Sequence, residues 1–177
     1  MLTVAIEAAR EAGRFLKLSV GKVRSIEVKQ GEERNLVSEI DRGAEARIIA
    51  IIKRHFPTHA ILAEESGTDN NDSEYLWIID PLDGTTNFAH NIGLFAVSIA
   101  FSIKGDIAAG IVLNPITGEL FTAVKGEGAE LNGVPINVSE TASVSESLLV
   151  TGFPYDINEF KPIQIRFFNC LKPSQGI

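Results

Sequence analysis

The sequence predicts an α+β fold in which two long helices pack against an antiparallel sheet. Residues 2–19 and 38–54 place apolar side chains three and four positions apart, as amphipathic helices do. Residues 94–136 alternate apolar runs with turns that contain Gly and Asn, a pattern typical of an antiparallel meander. We therefore expect this later segment to form the main sheet and both helices to pack on it.

The composition is that of an ordinary globular domain. The chain has 177 residues, of which 45% are hydrophobic and 22% are charged. Its net charge of −7 argues against nucleic acid or an anionic membrane as a partner, and an anionic substrate would need bound cations. Cys170 is the only cysteine, which excludes an internal disulfide, and no signal peptide or membrane span is visible. We therefore expect a cytoplasmic location.

The first predicted helix has a structural role only. Its outer face carries Glu7–Arg10 and Glu11–Arg14 as two pairs of opposite charge three residues apart. Its inner face is rich in small side chains, which allow another helix to approach closely. That face consists of Ala5, Ala8, Ala9, Ala12, Phe15, Leu16 and Ser19.

A short strand over residues 25–29 and a polar loop over residues 30–35 precede the second helix. Ser38 and Asp41 fit a capping box at the start of this helix, which gives Asp41 a structural explanation. Pro57 stops the helix. Its apolar stripe consists of Val37, Ile40, Ala44, Ile48, Ile51 and Ile52.

Acidic side chains follow two predicted strands. The apolar run 60–63 ends in Glu64 and Glu65, and the run 76–79 is followed by Asp80 and Asp83. We expect Pro81 to end the second strand just after Asp80. The turn is tight, so Asp80 and Asp83 should share one small volume, where like charges repel unless a cation lies between them.

A helix start is predicted immediately after these acids. Gly84 and Thr85 offer a Gly turn and a hydroxyl where a short helix could begin, and free amides at helix starts suit phosphate. From spacing alone, however, a solvated surface turn is the simpler interpretation of both acidic segments.

The rest of the chain is predicted to be strands and turns that end in a helix. Strands are expected over residues 94–103, 107–113, 119–125 and 147–151, and a helix over residues 158–171. Lys104-Gly105 and Asn132-Gly133 are expected to form hairpin turns.

The nine residues 80–88, Asp-Pro-Leu-Asp-Gly-Thr-Thr-Asn-Phe, resemble the signature of the inositol monophosphatase family. Residues 36–41 and 64–66 resemble further segments of that family. The resemblance implies a layered α/β sandwich of the inositol monophosphatase/fructose-bisphosphatase type. It also implies a lithium-sensitive phosphatase that uses two or three Mg²⁺ ions to hydrolyse a small phosphorylated alcohol.

The resemblance implies where the metal ions bind. Glu64, Asp80 and the Leu82 carbonyl would bind a first Mg²⁺, and Asp80 and Asp83 a second. Glu65 would orient solvent or a further ion. Lys29 would precede a flexible loop that helps to bind a metal.

The resemblance also implies catalytic and phosphate-binding roles. Thr85, oriented by Asp41, would help to deprotonate a water on the first metal, to which Glu64 also contributes as a catalytic residue. Asp83 and the amides of Gly84 and Thr85 would hold the phosphate.

The resemblance covers nearly the whole chain, whereas family members continue for roughly another half of this length. We therefore expect a C-terminally truncated form, with residues 1–145 as the N-terminal subdomain and residues 146–177 as the start of a second. The resemblance implies that the substrate is inositol monophosphate or a similar alcohol phosphate; histidinol phosphate, fructose bisphosphate and 3′-phosphonucleotides are alternatives. A non-catalytic remnant that binds Mg²⁺ weakly or assembles with a partner is a further alternative. Family members often dimerise, but no feature of this sequence decides between a monomer and a homodimer.

Overall fold

The computed structural model describes residues 1–21, 26–28, 36–69, 72–150 and 167–169. The helices are α1 (Leu2–Ser19), α2 (Glu39–His55) and α3 (Thr85–Ala89). The strands are β1 (Ile26–Val28), β2 (Leu36–Ser38), β3 (Ala60–Ala63), β4 (Gly67–Thr68), β5 (Tyr75–Asp83), β6 (Ala96–Ile103), β7 (Asp106–Leu113), β8 (Leu120–Val124), β9 (Gly128–Leu131) and β10 (Val134–Ile136).

The chain divides into two compact units. The first comprises Met1–Lys29 and Leu36–Ile136, and the second comprises Gln30–Asn35 and Asn137–Ile177. All the helices and strands named above lie in the first unit. None of the helices in the described ranges is long and apolar enough to cross a membrane.

The main sheet has eight strands in the order β10-β9-β8-β7-β6-β5-β3-β4. The five strands from β6 to β10 form the predicted antiparallel meander, each paired with the next along the chain. Two pairings of β5 were not predicted, because it lies antiparallel to β6 and parallel to β3, with Ala63 opposite Ile79. The parallel pairing places the end of β3 beside Ile79, directly before Asp80. The α+β fold is confirmed, with a mixed sheet.

The two long helices pack together through the alanine-rich face of α1, as predicted. Ala8, Ala9 and Ala12 are fully buried. The outer face differs from the prediction in one ion pair. Glu7 pairs with Arg54 of α2 at 2.5 Å, and not with Arg10, whereas Glu11 does pair with Arg14. The neighbouring helix therefore supplies a partner that the α1 sequence could not reveal.

The core lies between the helices and one face of the sheet. Trp77 and Ile79 of β5 point into it, together with Val97 and Ile99 of β6. Trp77 also donates a hydrogen bond from its indole Nε1 to Nδ1 of buried His59 over 3.1 Å. These contacts anchor the middle of β5 and hence the acidic residues at its end.

The prediction that Pro81 ends the strand was wrong. Strand β5 continues to Asp83, and its pairing with β6 shifts register between Asp80 and Asp83. Proline has no amide hydrogen to donate, so it is tolerated where a bulge interrupts the ladder. Pro81 therefore marks a β-bulge, not a strand end.

The predicted strand over residues 147–151 is absent from its described part, where only Leu148 makes an isolated bridge. Leu148 and Val150 are 84% and 97% exposed, so they gain none of the burial that supports a strand. A single 3-10 turn, Val144–Glu146, precedes them. Of the helix predicted over 158–171, only residues 167–169 lie in the described part, and these are helical.

Candidate active site

The predicted acids converge from three elements of the first unit. Asp41 lies in the first turn of α2, Glu64 and Glu65 follow β3, and Asp80 lies near the end of β5. Because β3 lies parallel to β5 with Ala63 opposite Ile79, the residue after β3 comes level with Asp80, and the Glu64 amide donates to the Ile79 carbonyl over 3.2 Å. This bond places Glu64 beside Asp80.

The bulge places Asp80 and Asp83 on the same face of the sheet. In a regular strand, residues three apart point to opposite faces. Here Asp80 pairs with Ser98 and Asp83 pairs with Ala96, two residues apart on β6 and therefore on one face. The extra residue in β5 thus brings the second acid to the side of the first.

Crowded negative charge changes the protonation of Asp80. Burial, followed by the neighbouring carboxylates of Glu64 and Asp83, raises the pKa of Asp80 to about 7. A hydrogen bond between the Asp80 and Glu64 carboxyl groups acts in the same direction, because it requires a proton. The Leu82 amide donates to Asp80 Oδ1 over 3.1 Å and partly offsets this rise.

The pKa of Asp41 is raised further than that of Asp80. Its side chain is only 1% exposed. Burial, followed by the charges of Glu65, Glu64 and Asp80, raises the pKa of Asp41 to about 8. The structure therefore brings Asp41 together with the acids of β3 and β5, as the sequence predicted. The Ser38 side chain, expected to cap this helix, lies outside the described part of the chain.

The Leu82 carbonyl and Thr85 form the next part of the site. Thr85 Oγ1 donates a hydrogen bond to the Leu82 carbonyl oxygen over 3.0 Å. A threonine hydroxyl has one proton, so Thr85 does not donate to Asp41 while it makes this bond. Asp83 is exposed beside this pair.

The predicted short helix α3 begins at Thr85, directly after Gly84. Gly84 has a φ of +97°, and an added Cβ would lie 3.0 Å from the Leu94 carbonyl oxygen. Glycine is the residue that accepts both constraints. Asn87 Nδ2 donates to that same carbonyl over 2.7 Å, which ties the helix to the segment before β6. The Gly84-Thr85 turn, which the sequence predicts to bind phosphate, is therefore fixed by close packing at Gly84 and by the Asn87 hydrogen bond.

Sequence reasoning missed Glu45. It lies one helical turn after Asp41 on the buried face of α2 and is only 4% exposed. Its Oε2 accepts a hydrogen bond from the Glu65 amide over 2.8 Å, and its Oε1 accepts one from the Ser66 amide over 3.0 Å. The sequence did contain a signal for the burial of Glu45. Helical spacing places it on one face of α2 with Asp41, Ile48 and Ile52.

The donors at this site suit a hard divalent cation. They are carboxylates and a backbone carbonyl, the oxygen ligands that Mg²⁺ prefers. No three His, Cys, Asp or Glu side chains of the described residues stand close enough to form a complete metal-binding group. Instead, Asp80 interacts with Glu64 and with Asp83 as separate pairs, and a cation would relieve both repulsions. Lys29 and the loop 30–35 lie outside the described residues.

Comparisons with known proteins show which family this chain resembles. The model of the inositol monophosphatase family matches residues 1–173. A Synechocystis relative named inositol-1-monophosphatase is 52% identical over 156 residues, which are 88% of this chain and 54% of that protein. A Pseudomonas aeruginosa relative named Nus factor SuhB is 45% identical over 162 residues, which are 90% of this chain and 60% of that protein.

A solved structure shows the same fold. The crystal structure of extragenic suppressor protein suhB from Bartonella henselae matches 99% of this chain and 67% of its own chain, with 38% identity and a TM-score of 0.92. This chain spans 54% and 60% of the two curated relatives described above. The family model nevertheless covers nearly all of it. The chain belongs to the inositol monophosphatase family.

Proposed function

We propose that this chain carries the metal- and phosphate-binding part of a Mg²⁺-dependent phosphomonoesterase. The observation that supports it is the convergence of Asp41, Glu64 and Asp80, where burial, together with the repulsion between neighbouring carboxylates, raises the pKa of Asp41 and Asp80. Structural carboxylates are rarely left to repel one another in this way, whereas sites for cations need such a cluster.

Each acid has a distinct proposed role. Glu64, Asp80 and the Leu82 carbonyl would hold one Mg²⁺, and Asp80 and Asp83 a second. Glu65 would orient solvent or a further ion. When bound, the metal ions would supply a water of lowered pKa and neutralise charge on the phosphate oxygens.

Proton transfer is assigned to Asp41 and Thr85. Burial and the neighbouring charges raise the pKa of Asp41 to about 8, so once bound cations favour its ionised form the Asp41 carboxylate would be a stronger base than an ordinary one. Thr85 is oriented by its bond to the Leu82 carbonyl, so its oxygen lone pairs can accept a hydrogen bond from the attacking water. The amides of Gly84 and Thr85, together with Asp83 through bound metal, would position the phosphate.

The substrate is proposed to be inositol monophosphate or a similar small alcohol phosphate, as the name of the Synechocystis relative suggests. Lithium inhibition is part of the same proposal. Histidinol phosphate, fructose bisphosphate and 3′-phosphonucleotides are the alternatives for a substrate panel. A homodimer also stays a prediction, which analytical ultracentrifugation would test.

The experiment that tests this function is Mg²⁺ titration of the 177-residue chain by calorimetry. We expect Asp80→Asn to weaken Mg²⁺ binding by about 100-fold or more, because it removes a ligand shared by both ions. Asp106→Asn, in an exposed acid of the β6–β7 hairpin, is the matched control and should bind normally. Equal affinity of Asp80→Asn and wild type would refute the proposal. Phosphate release from inositol 1-phosphate gives the second readout.

A second candidate function is that of a Nus factor, which is the name of the Pseudomonas aeruginosa relative. Introducing the chain into a Pseudomonas aeruginosa strain that lacks SuhB would test it. If both the wild-type chain and Asp80→Asn restored the function that the strain lost with SuhB, a non-catalytic role would be supported. Restoration by wild type alone would indicate that the metal site is required, and restoration by neither would count against this second function.

A further inference from the structure

Glu45 is a buried carboxylate for which the proposed mechanism has no role. Both of its oxygens are used on the turn that follows β3, where they accept the amide hydrogens of Glu65 and Ser66 at 2.8 and 3.0 Å. Charged acceptors make stronger hydrogen bonds than neutral ones, and two parallel bonds also fix orientation. Glu45 therefore clamps two consecutive peptide groups of this turn.

A further attachment of the turn adds to the clamp. On the other side, the Glu64 amide donates to the Ile79 carbonyl, one residue before Asp80. Glu64 is thus tied through its backbone to β5, and the next two residues are tied to α2. These attachments set which way the Glu64 side chain leaves the backbone, and it leaves toward Asp80, with which it shares a hydrogen bond.

We propose that Glu45 is a positioning residue for cation binding. By holding the Glu65 and Ser66 amides, it keeps Glu64 facing Asp80 and Glu65 beside Asp41. The inference rests on the proposed function, since it assigns to Glu45 the placement of the proposed ligands. Groups that orient metal ligands typically contribute a factor of about 10 to 100 in metal affinity.

Two substitutions of Glu45 distinguish the effect of its hydrogen bonds to the turn from the effect of its negative charge. Glu45→Gln keeps the shape, but its amide can accept only one of the two N–H groups and turns its own donors toward the other. Glu45→Asp keeps the negative charge but is one methylene shorter and cannot reach both amides. Ile48→Val, on the same buried stripe of α2, is the control for general loosening of the helix.

The experiment measures Mg²⁺ affinity of the whole chain by calorimetry, under conditions where circular dichroism shows each variant folded, together with amide hydrogen exchange. We expect Glu45→Gln and Glu45→Asp to bind Mg²⁺ about 10 to 100 times more weakly than wild type. The Glu65 and Ser66 amides should exchange faster in both. Ile48→Val should melt earlier but bind Mg²⁺ with wild-type affinity. If Glu45→Gln does not fold, Glu45→Asp carries the test.

Other outcomes would overturn the inference. Wild-type affinity in Glu45→Asp would show that only the charge matters. Equal weakening by Ile48→Val would show that Glu45 acts through general stability. In both cases the proposed function would survive, provided that wild type binds Mg²⁺ and Asp80→Asn does not. Absence of Mg²⁺ binding by wild type would overturn the function and the inference together.

Discussion

Thr85 donates its hydroxyl proton to the Leu82 carbonyl oxygen, across the junction between the end of β5 and the start of α3. This bond joins a proposed metal ligand to a proposed catalytic hydroxyl. It leaves only the lone pairs of Thr85 Oγ1 facing outward. Thr85 is therefore suited to accept a hydrogen bond from water, and less suited to donate one to Asp41.

Replacement of Thr85 tests this arrangement. Thr85→Val keeps the shape but loses the hydroxyl, so we expect phosphate release to fall by about 10²- to 10⁴-fold while Mg²⁺ affinity changes little. Thr85→Ser, which restores the hydroxyl, is the control and should retain most of the activity. Steady-state kinetics and calorimetry together would check both. Full activity in Thr85→Val would remove the residue from the mechanism.

The stability of the metal-free chain should fall as the pH rises. The pKa of Asp41 and of Asp80 are raised from 3.8 to about 8 and about 7, so between these values the folded state binds more protons than the unfolded state. The free energy of unfolding then decreases with pH over this interval. Chemical denaturation in the presence of a chelator, from about pH 5 to pH 8, would measure it.

Asp41→Asn should remove part of that pH dependence. The amide is neutral at every pH, so at pH 8 the metal-free variant should be more stable than wild type by at least about 1 kcal/mol. The Mg²⁺-induced rise in melting temperature should be smaller in the variant. A metal-free Asp41→Asn variant less stable than wild type at this pH would contradict the electrostatic account of the site.

His59 should make the free energy of unfolding fall as the pH decreases, which is opposite to the effect of Asp41 and Asp80. Burial, followed by the charge of Lys53, lowers the pKa of His59, and its Nδ1 accepts the Trp77 indole hydrogen as a neutral ring. The stability it contributes is present above the unfolded pKa of about 6.5 and is lost as the pH falls below it.

We expect His59→Phe to cost about 1–3 kcal/mol at neutral pH, because it leaves the buried Trp77 N–H without its acceptor. The difference in unfolding free energy between wild type and variant should shrink on acidification. Substitution of the exposed His90 by Asn is the control and should leave the pH profile unchanged. A constant difference across the acid range would argue against a neutral, bonded His59.

Gly84→Ala should destabilise more than Gly105→Ala. Both glycines have positive φ, +97° and +88°, but only at Gly84 would a Cβ meet backbone atoms, the Leu94 carbonyl oxygen and Phe95 Cα. We expect about 1 kcal/mol for Gly105→Ala and about 2–4 kcal/mol for Gly84→Ala, measured by chemical denaturation. Equal costs would show that the conformation alone requires glycine at Gly84.

Sequence reasoning succeeded where local chemistry decides the structure. The alanine face of α1 is buried as its spacing predicts, and both short hairpin turns have positive φ at the predicted positions, Lys104-Gly105 and Asn132-Gly133. Within the candidate site, the sequence also placed the three acidic segments at the boundaries of helices and strands, whereas their grouping into one site came from the family resemblance. Their side chains follow strands or begin a helix, and these boundaries are visible in composition.

Sequence reasoning failed where contacts between distant segments determine the structure. The parallel partnership of β3 and β5 depends on contacts between separate segments, and nothing in either segment specifies direction. Glu45 was overlooked because, in the sequence alone, a single acid in an apolar stripe looks the same as a solvent-exposed acid on the helix. Its buried role becomes visible only from the amides that it binds. Pro81 was misjudged because the same residue ends strands and occupies bulges.

The bulge at Pro81 makes the site sensitive to the number of residues between its acids. Removing one residue between Asp80 and Asp83 would restore a regular ladder with β6 and leave the two acids two positions apart, so both would stay on the same side of the sheet. Whether the ladder spacing is even or odd, more than its length along the chain, therefore governs whether two carboxylates on this strand can cooperate. If β5 instead kept both intervening residues and lost the bulge, Asp83 would point to the opposite face, although the hydrophobic pattern of β5 up to Ile79 would be unchanged.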